Sequence, residues 1–231
     1  FKSFRNMVCN EILSSFDPDS PLHDYYFDTR QNRIYHTIQN CGIEFPITKE
    51  EIQNIRNKVN LHCHQYSPLI KPYISYLKGK NYDEVFDAAY NIIKKAYGKK
   101  NEQAIGFKEV WVDEFASLLS KSNGQLKILH IIRDPRSVVA SNFKSSNKYP
   151  LLFLIRQWRK IATLAINNMN NNKNIKILKF ENLLSHPNDV ANQICSFLKV
   201  SFHMNMVEPC FFKDGEGKTW KQNSSYKLDN E

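Results

Sequence analysis

At 231 residues with 42% apolar side chains, the chain is large enough to bury a core, which argues against a disordered polymer and fits one α/β or α+β domain or two small ones. Lys and Arg outnumber Asp and Glu by 32 to 23, a net charge of +9 that favours anionic partners such as nucleotides, nucleic acid, acidic glycans or acidic membrane surfaces, although a basic surface by itself serves solubility. No run reaches the ~18 apolar residues expected of a membrane-spanning helix. Cys9, Cys41, Cys63, Cys195 and Cys210 are scattered, with no Cys-x-x-Cys pair and no metal-ligand spacing to histidine. Free thiols in a reducing, cytoplasmic setting are the simplest reading; one or two disulfides, and a targeting or anchor segment upstream of Phe1, stay open.

In chain order, Phe4, Met7, Val8, Ile12 and Leu13 recur at helical spacing, and Asp17-Pro18-Asp19-Ser20-Pro21 ends that helix. Residues 48–100 read as mostly helical, an insertion or substrate-side cap. Thr48 with Glu51 forms a capping-box pattern, and Val85, Phe86, Ala89, Ile92, Ile93 and Ala96 form one stripe of a second helix. The rhythm then changes. "AIGFKEVW" (104–111) predicts a strand, "VDEFASLLSKS" a helix, "QLKILHII" (125–132) a buried strand and "PRSVVASNFK" a helix. A long helix over "LLFLIRQWRKIATLAINNM", a strand "IKILKF" and a helix "PNDVANQICSFLKV" complete the alternation. The asparagine-rich 167–174 reads as the loop before that last strand, and 210–231 as a tail or a ligand-ordered flap. Alternating strands and helices imply an α/β fold, a single domain over 1–231 with a central parallel sheet flanked by helices.

The junction "IIRDPR" concentrates the chemistry. Arg133 stands at the carboxyl end of a strand, where parallel sheets place their ligands. Asp134 suits the cap of the next helix and Pro135 its first position. Ser137 and Ser141, four apart, share one face of that helix. A guanidinium, two hydroxyls and a helix N-terminus suit a phosphate. Equally, Arg133 can pair with a carboxylate and Ser141 with a carbonyl, so the junction alone leaves both readings open.

"IIRDPRSVVAS" resembles the motif with which sulfotransferases dependent on 3′-phosphoadenosine-5′-phosphosulfate hold the donor's 3′-phosphate, and the resemblance assigns that contact to Arg133 and Ser141. Further segments are similar to the same family in the same order. "IGFKE" carries Lys108 near the transferring group. "KILKFENLLSHPNDVANQICSFL" has Phe180-Glu181-Asn182-Leu183 where Tyr-Glu-Asp-Leu is commoner. "KDGEGKTWKQNSS" matches the loop that closes over the nucleotide, through Lys213, Gly215, Lys218 and Trp220. The resemblance covers about half the chain, mostly after Ala104, and implies a P-loop-like sulfotransferase fold.

The family's phosphosulfate cradle is a Pro-Lys-Ser-Gly-Thr-Thr loop between the first strand and helix. Here Lys2, Ser3 and Phe4 fall at that place without its glycine and threonines. Loss of the loop and absence of neighbouring residues from the sequence are both open. The second is the expectation, because deleting a central strand exposes two unpaired edges. The resemblance then gives Lys2 the leaving phosphate and Ser3 the cradle.

Sulfuryl transfer of this type is in-line attack by an acceptor hydroxyl or amine, with adenosine 3′,5′-bisphosphate as product, and depends on positioning and charge stabilisation without a metal. A base is required. His23 is the first choice, with Asp24, Glu109, His62 and His64 behind it. Tyr25, Tyr26 and Phe27 are candidates to line an acceptor pocket, whereas Trp158 sits at core spacing. Carbohydrates, small phenols or alcohols and peptide tyrosines all stay open as acceptors. A P-loop kinase would need a Gly-Lys-Ser/Thr loop and a magnesium-binding Asp, neither of which is legible. A non-enzymatic module for nucleic acid or acidic glycan would need a basic block, and the basic residues are dispersed.

Overall fold

A computed structural model describes residues 42–99, 102–108, 113–122, 124–143, 149–214 and 216–220. Helix α1 (Lys49–Tyr66) starts at the expected capping box: Thr48 Oγ1 accepts from the Glu51 amide at 3.1 Å, and Glu51 Oε2 accepts from the Thr48 amide at 2.8 Å. A 3₁₀ stretch over Pro68–Tyr76 follows. Helix α2 (Tyr82–Tyr97) is capped by Asn81, whose side chain accepts from the Glu84 amide at 2.9 Å. Its expected stripe turns inward. Val85 and Ile92 are buried in a cluster with Ile43, Ile47, Ile52, Leu77, Tyr82, Phe115 and Leu118, and Phe86 and Ala89 pack against it. Arg56 ties the layer together by donating to the Leu77 and Ser75 carbonyls, both at 2.9 Å.

A 3₁₀ turn at Asp113–Phe115 leads into α3 (Ala116–Ser122). Strand β1 (Ile128–Ile132) is followed by α4 (Pro135–Phe143), α5 (Leu151–Asn171) and strand β2 (Ile175–Lys179). The two strands are parallel neighbours, so the α/β class holds, and they are the strands found among the described residues. Helices α6 (Phe180–Ser185) and α7 (Pro187–Leu198) follow without a further strand. Phe180, expected at the end of β2, opens α6 instead.

The expected strand at 104–111 does not form over its described part, Ala104 to Lys108, which is irregular. The Ile105 carbonyl accepts from the Tyr90 hydroxyl at 2.7 Å, a side-chain partner where a strand would have a ladder. The asparagine tract also departs from a plain loop. Helix α5 runs to Asn171, so only its last residues turn. Asn168 is buried and donates to the Asp113 carbonyl at 3.3 Å. Asn174 donates to the Gly124 carbonyl at 2.8 Å and accepts from Lys127 Nζ at 2.6 Å, closing the turn that feeds β1. Amide side chains here replace backbone partners, which composition alone reads as loop character.

Internal contacts divide the chain into two units, one formed by Phe1–His130 with Arg156–Ile177 and the other by Ile131–Ile155 with Leu178–Glu231. In the first, polar groups lie in the interior. Lys160 Nζ stands 3.8 Å from Glu114 Oε2 with the side chains 2% and 0% exposed, and His130 Nδ1 lies 3.3 Å from Asp113 Oδ1. In the second, Asn142 accepts from the Tyr149 amide and donates to its carbonyl, both at 3.0 Å. Helix α7 ends on Lys199 in the left-handed region (φ 59°), and the Val200 amide bonds the Cys195 carbonyl at 3.0 Å. Cys63, Cys195 and Cys210 are free thiols. No helix among the described residues is long and apolar enough to cross a membrane.

The buried ion pair yields a stability prediction. Lys160→Met removes the ammonium beside the buried Glu114 carboxylate and lowers unfolding free energy by about 3–5 kcal/mol, whereas adding Glu114→Gln restores most of it. Urea denaturation of the two variants measures both values.

Candidate functional site

The site begins where β1 ends. Residues 133 and 134 leave the strand, and α4 must start at once on Pro135, which has no amide proton to satisfy. Asp134 completes the cap as the sequence implies: its Oδ1 accepts from the Arg136 amide at 2.8 Å. The same carboxylate grips the Arg136 side chain, with Nη2 to Oδ2 at 2.6 Å and Nε to Oδ1 at 3.0 Å. These hydrogen bonds, first from the Arg136 side chain and then from its amide, hold the Asp134 carboxyl down at about 2. The first amide of α4 is therefore already given to a carboxylate. This changes the expectation for the helix N-terminus, whose first amide is satisfied from within the turn.

Arg133 is half-buried, and its guanidinium carbon lies over the Phe180 ring, 5.1 Å from the centroid. The next amide, Asp134 N–H, donates to Glu181 Oε1 at 2.8 Å. That bond is the leading cause of the lowered Glu181 pKa, and Arg133 adds a smaller electrostatic pull in the same direction. The two residues that open α6 thus hold the head group of Arg133 and the backbone just after it. Phe180 and Glu181 stand in a family-like segment of the sequence that by itself assigns them no contact with the junction. The available signal was their place at the carboxyl end of β2, matching that of Arg133 after β1. Ser137 and Ser141 are half-buried on α4.

The third piece of the candidate site is Phe212 to Trp220. The Trp220 amide bonds the Phe212 carbonyl at 2.8 Å, Lys213 bridges Thr219, and the Asp214 amide bonds the Lys218 carbonyl at 2.9 Å. Asp214 Oδ1 accepts from the Glu216 and Lys218 amides at 2.9 Å each, and Gly217 takes φ 80°. This segment, read as tail or flap, is a closed turn as far as Trp220. Lys213 Nζ donates to Thr219 Oγ1 at 3.2 Å, Lys218 pairs with Glu216, and Trp220 is 38% exposed against Phe212, with ring centroids 6.4 Å apart.

Arg133, Ser141, Lys213, Lys218 and Trp220 belong to the second unit and Lys108, which is exposed, to the first. Lys2, Ser3, Phe4, His23, Tyr25, Tyr26, Phe27, Glu109 and Gly215 lie outside the described residues. His62 and His64 are exposed on α1, and Trp158 is half-buried on α5. Among the described residues no three His, Cys, Asp or Glu side chains cluster as metal ligands.

A folded-state pKa of about 2 for Asp134 lies below its ordinary 3.8, so the cap adds stability above 3.8 and loses it as pH falls through 2. Carboxyl titration followed by NMR is expected to place the Asp134 midpoint near 2, and Arg136→Ala to move it up toward 3.8.

A comparison with family models matches the sulfotransferase domain over residues 47–227, well over half of the chain. Searches of curated proteins and of solved structures find no match. The matched span takes in the Arg-Asp-Pro-Arg junction, the Phe-Glu pair at the start of α6 and the closed turn ending at Trp220. The activity general to that family is sulfuryl transfer, rather than phosphoryl transfer or binding alone. The chain belongs to the sulfotransferase family.

Proposed function

We propose that the protein moves a sulfuryl group from 3′-phosphoadenosine-5′-phosphosulfate to the hydroxyl or amine of a small-molecule or carbohydrate acceptor. The observation that carries this reading is the state of the strand-end arginine. The carboxylate next to it in sequence, Asp134, is committed to Arg136 and the α4 cap, while Arg133 is seated on an aromatic ring at the carboxyl end of a parallel strand. A guanidinium with a nearby helix-face hydroxyl fits a phosphate monoester, which accepts several charge-assisted bonds at once. Arg133 and Ser141 are therefore assigned to the 3′-phosphate. The turn from Lys213 to Trp220 adds two ammonium groups and a partly exposed indole, a set suited to a nucleotide's phosphate and base, with Gly215 in the same loop.

When bound, the donor supplies an electrophilic sulfur and a leaving group, adenosine 3′,5′-bisphosphate. Reaction forms a bond from the acceptor oxygen or nitrogen to sulfur and breaks the bond from sulfur to the 5′-phosphate oxygen, in line. Lys108 and Lys2 are assigned to the charge that grows on that oxygen, and Ser3 and Phe4 to the cradle around it. His23 is assigned to the acceptor proton, since a neutral imidazole near pH 7 accepts it without a large mismatch. The basic excess of the chain, +9, favours capture of so anionic a donor.

Calorimetric titration with adenosine 3′,5′-bisphosphate tests the assignment. The wild-type protein is expected to bind it, and Arg133→Ala with Ser141→Ala to weaken binding by about a hundredfold or more, the loss of two contacts to a charged phosphate. Equal affinity in the folded double variant would remove the junction from the nucleotide site.

A further inference from the structure

We propose that Glu181 is a positioning residue that sets Arg133 for the donor's 3′-phosphate, acting through the Asp134 amide; this rests on the nucleotide reading above. Three observations within the second unit carry it. Glu181 Oε1 accepts from the Asp134 amide at 2.8 Å, which fixes the peptide that follows Arg133. The residue before Glu181, Phe180, places its ring under the Arg133 guanidinium. Glu181 is itself anchored, because Ser185 Oγ donates to its carbonyl at 3.0 Å one turn along α6 and lies 2.7 Å from His186 Nδ1. The start of α6 thus restrains a long, rotamer-rich side chain at its base and at its head, lowering the entropy lost when a phosphate is gripped.

A simpler role for Glu181 would be to neutralise Arg133. The geometry favours the amide instead: the resolved hydrogen bond of its carboxylate to the junction goes to the Asp134 N–H, and that bond outweighs the pull of Arg133 on its proton affinity. A neutralising carboxylate would compete with the 3′-phosphate for the guanidinium, whereas one held by an amide acts on the backbone beside it. The two roles differ in what they require. Positioning needs an acceptor of glutamate's reach and no charge. Neutralisation needs charge.

Two mild variants separate them. Glu181→Gln keeps the reach and an acceptor oxygen, and Glu181→Asp keeps the charge one methylene short of the amide. Binding of adenosine 3′,5′-bisphosphate and of adenosine 5′-monophosphate is measured for both variants and wild type by calorimetry, with thermal melting to show that each is folded. Positioning predicts that Gln stays near wild type for both nucleotides. It predicts that Asp loses roughly tenfold for the bisphosphate and little for the monophosphate. The reverse order of Gln and Asp, equal losses for both nucleotides, or an Asp variant that keeps its preference for the 3′-phosphate would overturn the proposal. Failure of the nucleotide reading is a separate result, seen in wild type as no preference for the bisphosphate over the monophosphate.

Discussion

A chain that leaves a strand and enters a helix within two residues must find partners for the amides at the turn, and here two carboxylates provide them. Asp134 caps α4 from inside the turn, while Glu181 reaches from the start of α6 to the Asp134 amide. Each bond satisfies one amide of the turn with a charged acceptor. Together they fix the peptides on both sides of Asp134, next to Arg133. The aromatic seat under its guanidinium, the pairing of Arg136 with Asp134 and the face of α4 that carries Ser141 all follow from that turn.

The same arrangement sorts the charges. Of the two arginines in the junction, Arg136 is 89% exposed and held by Asp134, so it contributes little field to a ligand at the strand end. Arg133 is half-buried over a ring, where water competes less. The chain's excess of basic residues is dispersed along the sequence and does not by itself mark a site. The turn at Phe212–Trp220 applies the same economy, with Asp214 Oδ1 accepting from two amides beside the isolated antiparallel bridge of Lys213 with Thr219.

Much of this was legible because it is local. The capping box at Thr48, the stripe of α2 and the Asp134 cap with Pro135 each depend on residues within a few positions of one another. What escaped the sequence depends on distant partners. Tyr90 takes the carbonyl of Ile105 from fifteen residues away and leaves "AIGFK" without a ladder. Asn168 and Asn174 donate to the carbonyls of Asp113 and Gly124, so a tract that looks like loop is half helix and half clasp. Glu181 meets Asp134 across 47 residues; the motif around it was visible, but its partner was not. The family resemblance ordered these segments correctly without saying which of their atoms touch.

Sulfuryl transfer is measured by incubating the protein with 3′-phosphoadenosine-5′-phosphosulfate labelled in its sulfuryl group, against a panel of saccharides, phenols and tyrosine peptides. Label is expected on at least one acceptor class, with adenosine 3′,5′-bisphosphate released in equal amount and neither product formed once Arg133 is replaced by alanine. Tight binding of the nucleotide with all label retained in the donor across the whole panel would contradict the proposed transfer, leaving a nucleotide-binding member of the family that does not transfer to such acceptors.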